Sequence, residues 1–240
     1  MPALIDPVKF QAGPWGNAPL KEWLFDPDTV VGIEEDWQDY NPTNGPYTFT
    51  QATAGSAAID TTTPGRLKMD AGATTANQGG NLQRTKSPFL PAAGKSIWAE
   101  FVLTLTATTP PVTKAQLFVG LAASSTAIIS AGAINVNNRI GWRILNGGNL
   151  TLQFDCDKAG TGTQIAAAAL VDATKIRLGF RYDGVADTIQ QYINGVATGN
   201  PIATANIPKA AAIYPSFVCQ SDGTDRPNLF LHGYRVLQLR

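Results

Sequence analysis

Between residues 96 and 107 the chain alternates, with Ile97, Ala99, Phe101, Leu103 and Leu105 on one parity and Trp98, Glu100, Val102, Thr104 and Thr106 on the other. A period of two sends successive side chains to opposite faces, so this stretch is predicted to be a long strand with one apolar face and one mixed face. Pro110 and Pro111, which bring no backbone donor, close it. A second alternation covers 174–183. There Ile176, Leu178, Phe180 and Tyr182 interleave with Lys175, Arg177, Gly179 and Arg181, which describes a half-buried strand with a cationic outer face. Asp183-Gly184 turns the chain into a strand over 188–193, which runs into Asn194-Gly195, a pair that accepts the two positive φ angles of a tight hairpin. The same reading places strands at 47–51, 66–69, 116–121, 139–145, 149–155, 213–219 and 228–239, with Asn146-Gly147-Gly148 turning a hairpin over 139–155. Helix propensity is confined to 164–170, where four consecutive alanines stand. That stretch is too short to hold a helix alone and reads as a short helix, a turn or a small-residue strand.

Residues 1–28 have another character. Pro2, Pro7, Pro14, Pro19 and Pro27 exclude a long helix, while Phe10, Trp15, Leu20, Trp23, Leu24 and Phe25 make the segment too apolar for a solvated tail. An extended N-terminal arm is expected, lying either on its own sandwich or on a neighbouring subunit, followed by one β-sandwich domain over 29–240.

The length of 240 residues is enough to bury a substantial core in a single β domain. Lysine plus arginine total 18, as do aspartate plus glutamate, and charged residues are 15% of the chain against about 25% in an average soluble domain. A chain without net charge offers no electrostatic attraction for nucleic acid or an anionic membrane, and its weakly charged surface is suited to being covered in an assembly. No run approaches the ~20 apolar residues of a membrane span, and the N-terminus shows no signal peptide. Cys156 and Cys219 lie in apolar strand contexts and read as buried free thiols, with an inter-strand disulfide as the alternative.

The sequence Leu178-Gly179-Phe180-Arg181-Tyr182-Asp183-Gly184, followed after a gap by Gln190-Gln191-Tyr192-Ile193-Asn194-Gly195-Val196, resembles the concanavalin A-like, laminin G-like jelly-roll superfamily. In that superfamily a strand ending in Tyr-Asp precedes a strand ending in a Tyr-x-Asn-Gly turn. Phe118-Val119-Gly120-Leu121 and the closing strand over 228–239 extend the likeness over most of the chain after residue 29. The implied fold is all-β, an antiparallel two-sheet jelly-roll sandwich. A narrower likeness involves 69–80, Ser87-Pro88-Phe89-Leu90 and 94–101, which resemble jelly-roll structural proteins of tailed bacteriophage particles that decorate a capsid or other virion surface.

Candidate chemistry is sparse. Glycoside hydrolases on this jelly roll set two or more carboxylates on alternate positions of one strand, since retaining chemistry needs an acid and a nucleophile about 5 to 5.5 Å apart. Glu100 has Trp98 and Val102 at the flanking same-face positions and no acidic partner, and Glu34-Glu35-Asp36 reads as a solvated turn. Asp155 and Asp157 are two apart and form the best pair, but the following Lys158 and Gly160-Thr161-Gly162 make them read as a strand end entering solvent. Asp222, Asp225 and Asn228 could supply oxygen ligands to calcium but are spaced as loosely as an ordinary turn before a strand, and His232 alone with two remote cysteines does not make a common zinc site. The expectation is therefore a non-enzymatic protein with no catalytic residues, no cofactor and no metal assigned. The resemblance implies a virion location after synthesis in the host cytoplasm. Partners would be the major capsid protein or other virion subunits and further copies of the chain, a homotrimer being one form, with no nucleic acid or membrane. Trp15, Leu20, Trp23 and Phe25 of the arm are the candidate partner-binding residues. The alternative is a lectin-like module of a phage tail or fibre that binds glycans.

Overall fold

A computed structural model describes residues 30–145, 147 and 149–240, and of Ala167 the backbone alone. The arm over 1–28, with Trp15, Leu20, Trp23 and Phe25, lies outside the described residues, as do Asn146 and Gly148 of the predicted turn. The described chain is built from strands without a helix. In order these are β1 (Val30–Glu35), β2 (Tyr47–Ala52), β3 (Ser56–Ile59), β4 (Leu67–Asp70), β5 (Gly79–Arg84) and β6 (Ile97–Ala107). They continue with β7 (Gln116–Ala122), β8 (Ile129–Ser130), β9 (Ala133–Ile134), β10 (Arg139–Ile144), β11 (Thr151–Lys158) and β12 (Thr161–Ala169). The last are β13 (Lys175–Asp183), β14 (Thr188–Ile193), β15 (Val196–Ala203), β16 (Tyr214–Gln220) and β17 (Pro227–Leu239).

One sheet runs β15-β14-β13-β6-β17-β4-β3, with β1 also on β17, and the second runs β12-β11-β10-β7-β16-β5-β2. All pairings are antiparallel, and β8 and β9 form a separate small hairpin. The two-sheet antiparallel sandwich expected from the alternation is what forms. The apolar parity of β6 faces the core, and Phe101 meets Phe217 of the opposite sheet edge to face at 5.9 Å. Phe154 and Phe180 bridge the sheets at the same separation. The predicted hairpins are present: β13 pairs with β14, and Asn194 and Gly195 take φ of 51° and 81° between β14 and β15. The alanine-rich stretch is strand β12, because β11 offers it a ladder and an isolated helix of that length has no such support.

Two expectations require correction. Glu34 and Glu35 belong to strand β1 rather than to a turn, and Glu35 accepts a hydrogen bond from the Tyr47 hydroxyl at 2.8 Å. Asp155 and Asp157 do not enter solvent: β11 continues to Lys158, and both side chains are buried.

Candidate functional site

The outer face of the seven-stranded sheet is where carboxylates, arginines and amides converge. Strand register arranges them in rows. Gly162, Asp157, Arg139 and Ala122 lie side by side in one, and Gln164, Asp155, Gly141, Gly120, Ser216 and Gln83 in the next. A third row runs Gln153, Arg143, Phe118, Val218 and Asn81. The paired glycines in the middle row have a steric cause. A Cβ on Gly120 would stand 2.4 Å from the Ile140 carbonyl oxygen, and one on Gly141 would stand 2.6 Å from that of Val119. The floor so created is crossed by the two arginines beside Gly141, which reach toward Asp155.

Asp155 is completely buried and takes Arg139 Nε at 2.8 Å and Arg143 Nε at 3.0 Å on the same oxygen, Oδ2. The Arg139 contact is a directed hydrogen bond; that of Arg143 lacks the geometry of one and is an ion pair alone. Asp157 Oδ2 lies 3.3 Å from Arg139 Nη2, and its Oδ1 accepts from the Gly160 backbone at 2.9 Å. Burial pulls the Arg143 guanidinium below its ordinary pKa, and Arg139 adds to that, against the opposing pull of Asp155. The same carboxylates, after burial itself, push the Cys156 thiol on the inner side of β11 upward. As placed, the two carboxylates serve as counter-ions to two buried arginines.

Away from β12, whose Gly162 and Gln164 stay exposed, the face is covered by the chain itself. Residues 123–138, between β7 and β10 and including the β8–β9 hairpin, form a strap whose Ile128, Ile129 and Val136 pack on Phe118, Ala122 and Val218 in a cluster separate from the main core. Sheet amides hold the strap by its backbone. Gln83 Nε2 donates to the Ala123 carbonyl at 3.0 Å, and its Oε1 accepts from the Ser125 N–H at 2.9 Å. Asn81 Nδ2 donates to the Ser125 carbonyl at 2.8 Å, and Arg139 Nη1 to that of Val136 at 2.5 Å. Beside the strap a cavity of about 130 Å³ remains, lined among others by Thr50, Asn77, Asn81, Ser130 and Gln220.

The other sequence candidates stay apart from this face. Glu100 lies on the outer face of the eight-stranded sheet, in register with Gly179 and Arg235 and 3.8 Å from Arg177 Nε. His232 Nε2 shares a 2.9 Å hydrogen bond with Thr104 Oγ1, and its pKa falls to about 4 because burial and the nearby Lys175 and Arg66 disfavour a second charge. Asp225 accepts from the Thr113 and Lys114 backbone at 2.6 and 3.0 Å, Asp222 closes its own turn through Thr224, and Asn228 donates to Thr108. Among the described residues no group of three or more His, Cys, Asp and Glu side chains is placed to hold a metal ion. Cys156 and Cys219 are both free and buried. Tyr47, Tyr234 and Glu35 form a hydroxyl-carboxylate chain that the sequence did not reveal, with the two phenol oxygens 2.5 Å apart and burial pushing Tyr234 up to about 12.

With its strand order and site in view, the chain has the concanavalin A-like lectin fold, an all-β sandwich of two antiparallel sheets. Peanut lectin, solved with a nine-residue peptide, shares it at 13% identity, covering 88% of this chain and 98% of that one with a TM-score of 0.62. The endo-1,3-beta-glucanase of Streptomyces sioyaensis matches at 12% identity, over 89% and 98% of the two chains, with a TM-score of 0.61. The carbohydrate recognition domain of Emp47p matches at 10% identity, over 88% and 97%, with a TM-score of 0.60. No protein-family model and no curated protein matches the chain. Likeness at such identities is a likeness of fold, which carries lectins and a glucanase alike.

Proposed function

We propose that this chain is a non-catalytic structural protein of a virus particle, a decoration module that attaches to the major capsid protein lattice or to other virion subunits. The observation that carries the non-catalytic half is the covered sheet face. Its two neighbouring carboxylates are buried against Arg139 and Arg143 beneath the 123–138 strap, whereas glycoside hydrolysis needs an acid and a nucleophile on either side of an accessible bond. The virion half is supported by the resemblance over 69–80, 87–90 and 94–101 to phage structural jelly rolls, and by a sparsely charged surface suited to burial in an assembly. In this reading Trp15, Leu20, Trp23 and Phe25 anchor the arm on the lattice, as aromatic side chains commonly dominate interface energies.

Quantitative mass spectrometry of purified particles tests it. The chain is expected at a copy number matching one class of lattice site, and full-length protein carrying Trp15→Ala and Trp23→Ala should keep its β spectrum yet lose particle binding. Recovery only from the fraction free of particles rejects the proposal.

A lectin-like module is the second reading, supported by the cavity beside the strap with its hydroxyl and amide lining and by a fold shared with carbohydrate-recognition domains. Saccharide-selective signal on a glycan array, abolished by Thr50→Val, would support this reading over a purely structural one.

A further inference from the structure

Every open sheet has edges, and an edge strand presents unpaired backbone donors and acceptors to any strand that approaches. Most edges of this sandwich are guarded. β3 is only four residues long, β1 carries Glu34 and Glu35, and β15 is interrupted by Gly199 at φ 67° and by Pro201, with a register shift against β14. β2 runs six residues, and just past its end Ala54 folds back onto Ala52. β12 differs. Its nine residues, Thr-Gly-Thr-Gln-Ile-Ala-Ala-Ala-Ala, contain no charge and no proline, and β11 is its sole strand neighbour among the described residues. One irregularity, opposite Leu152 and Gln153, is confined to the alanine end and leaves 161–166 regular.

We infer that the β12 edge left open among the described residues pairs antiparallel with the β12 edge of a second copy about a two-fold axis, so that the two seven-stranded sheets join into one. A second copy fits this edge on the strand's own terms. With the axis at Gln164, each Gln164 amide faces its counterpart, Gly162 faces the second copy's Ala166, and Thr163 faces its Ile165. Every opposed pair is uncharged, and the β-branched Thr163 meets the β-branched Ile165. Register also keeps the faces consistent, since Gly162 and Gln164 share the outer face with Asp157 and Asp155. Nothing in the overall charge opposes the approach, because 18 cationic and 18 anionic side chains leave no net charge. A contact of the same patch on both subunits closes at two copies rather than growing into a filament. The inference rests on the sheet edge alone and does not depend on the virion reading.

Sedimentation equilibrium of the full chain over a range of concentrations is the test, with hydrogen exchange of amides 161–166 as a second readout. Wild type is expected at twice the chain mass, with the alternate amides of 161–166 that point away from β11 protected in concentrated solution and losing protection on dilution. Gln164→Lys, which opposes two like charges at the axis, should weaken association roughly tenfold or more while keeping the native circular dichroism spectrum. Val196→Lys, a lysine at an exposed position of β15, should leave the mass unchanged. A monomer at every soluble concentration overturns the inference. So does an oligomer indifferent to Gln164→Lys, or exchange at 161–166 that does not change with concentration.

Discussion

Asp155 shows how much one register position can decide. Its carboxylate is fully buried and neutralised by two guanidiniums, so the energetic weight falls on what remains if it is removed. Breaking a buried ion pair by deleting one partner costs about 3–5 kcal/mol, because an uncompensated charge stays behind in a poorly polarisable surrounding. Asp155→Asn leaves Arg139 with Asp157 and Arg143 without a carboxylate, and is expected to lose stability in that range. The measurement is a drop in urea midpoint at unchanged m-value; a shift below about 1 kcal/mol would mean that water already solvates the pair. The sequence held the clue to this arrangement. Arg139, Gly141 and Arg143 share a parity on one arm of the predicted hairpin, as Asp155 and Asp157 do on the other. What the pattern lacked was the strap, without which a strand-end Asp-x-Asp followed by lysine looks solvated.

At the scale of elements, the strap is a third layer held both by sheet amides and by its own apolar cluster. Gln83 touches it on both sides, donating to Ala123 and accepting from Ser125, and also donates to Ser216 Oγ at 2.8 Å. Gln83→Ala strands these groups and is expected to cost about 1–3 kcal/mol. The loss should be local: hydrogen exchange should speed up over 123–138 while the ladder of β7, β10 and β16 keeps its protection. Uniform acceleration through the sheet would show that the strap and sandwich open as one unit. The strap also explains which strands could be read from sequence. β6, β13 and β14 alternate because one face meets the core and the other meets solvent or a polar surface. β5, Gly-Gly-Asn-Leu-Gln-Arg, does not alternate in that way because Asn81 and Gln83 are buried too, as fasteners for the strap, and so it was missed. β15 escaped notice for the opposite reason: as an interrupted edge strand it is largely exposed and carries little apolar signal. In β12 the alanines favour a helix locally, and the β11 ladder overrides them.

For the whole molecule, the two cysteines give a probe of how the sandwich opens. Cys156 is on β11 and Cys219 on β16, with β10 and β7 between them. Three strand spacings amount to roughly 14 Å, well beyond the Cα separation of a disulfide, so the alternative of an inter-strand bridge is excluded by strand order. Both thiols are buried, and burial drives Cys156 far above its ordinary pKa and Cys219 up to about 12. Because the thiolate is the reactive form, two conditions, access and ionisation, hold both groups inert in the native state. Native protein is therefore expected to show no reaction with a thiol reagent on the time scale of a free cysteine, and two equivalents after denaturation. Between those limits, Cys156 and Cys219 sit in different strands of one sheet that packs against a single core. If that core opens cooperatively, both should label at the same rate at every urea concentration, and that rate should follow global unfolding. Faster labelling of Cys156 alone would place the weak point at the β11–β12 edge, where its sulfur donates to the Asn206 carbonyl, and would show that this side of the sandwich frays independently of β16.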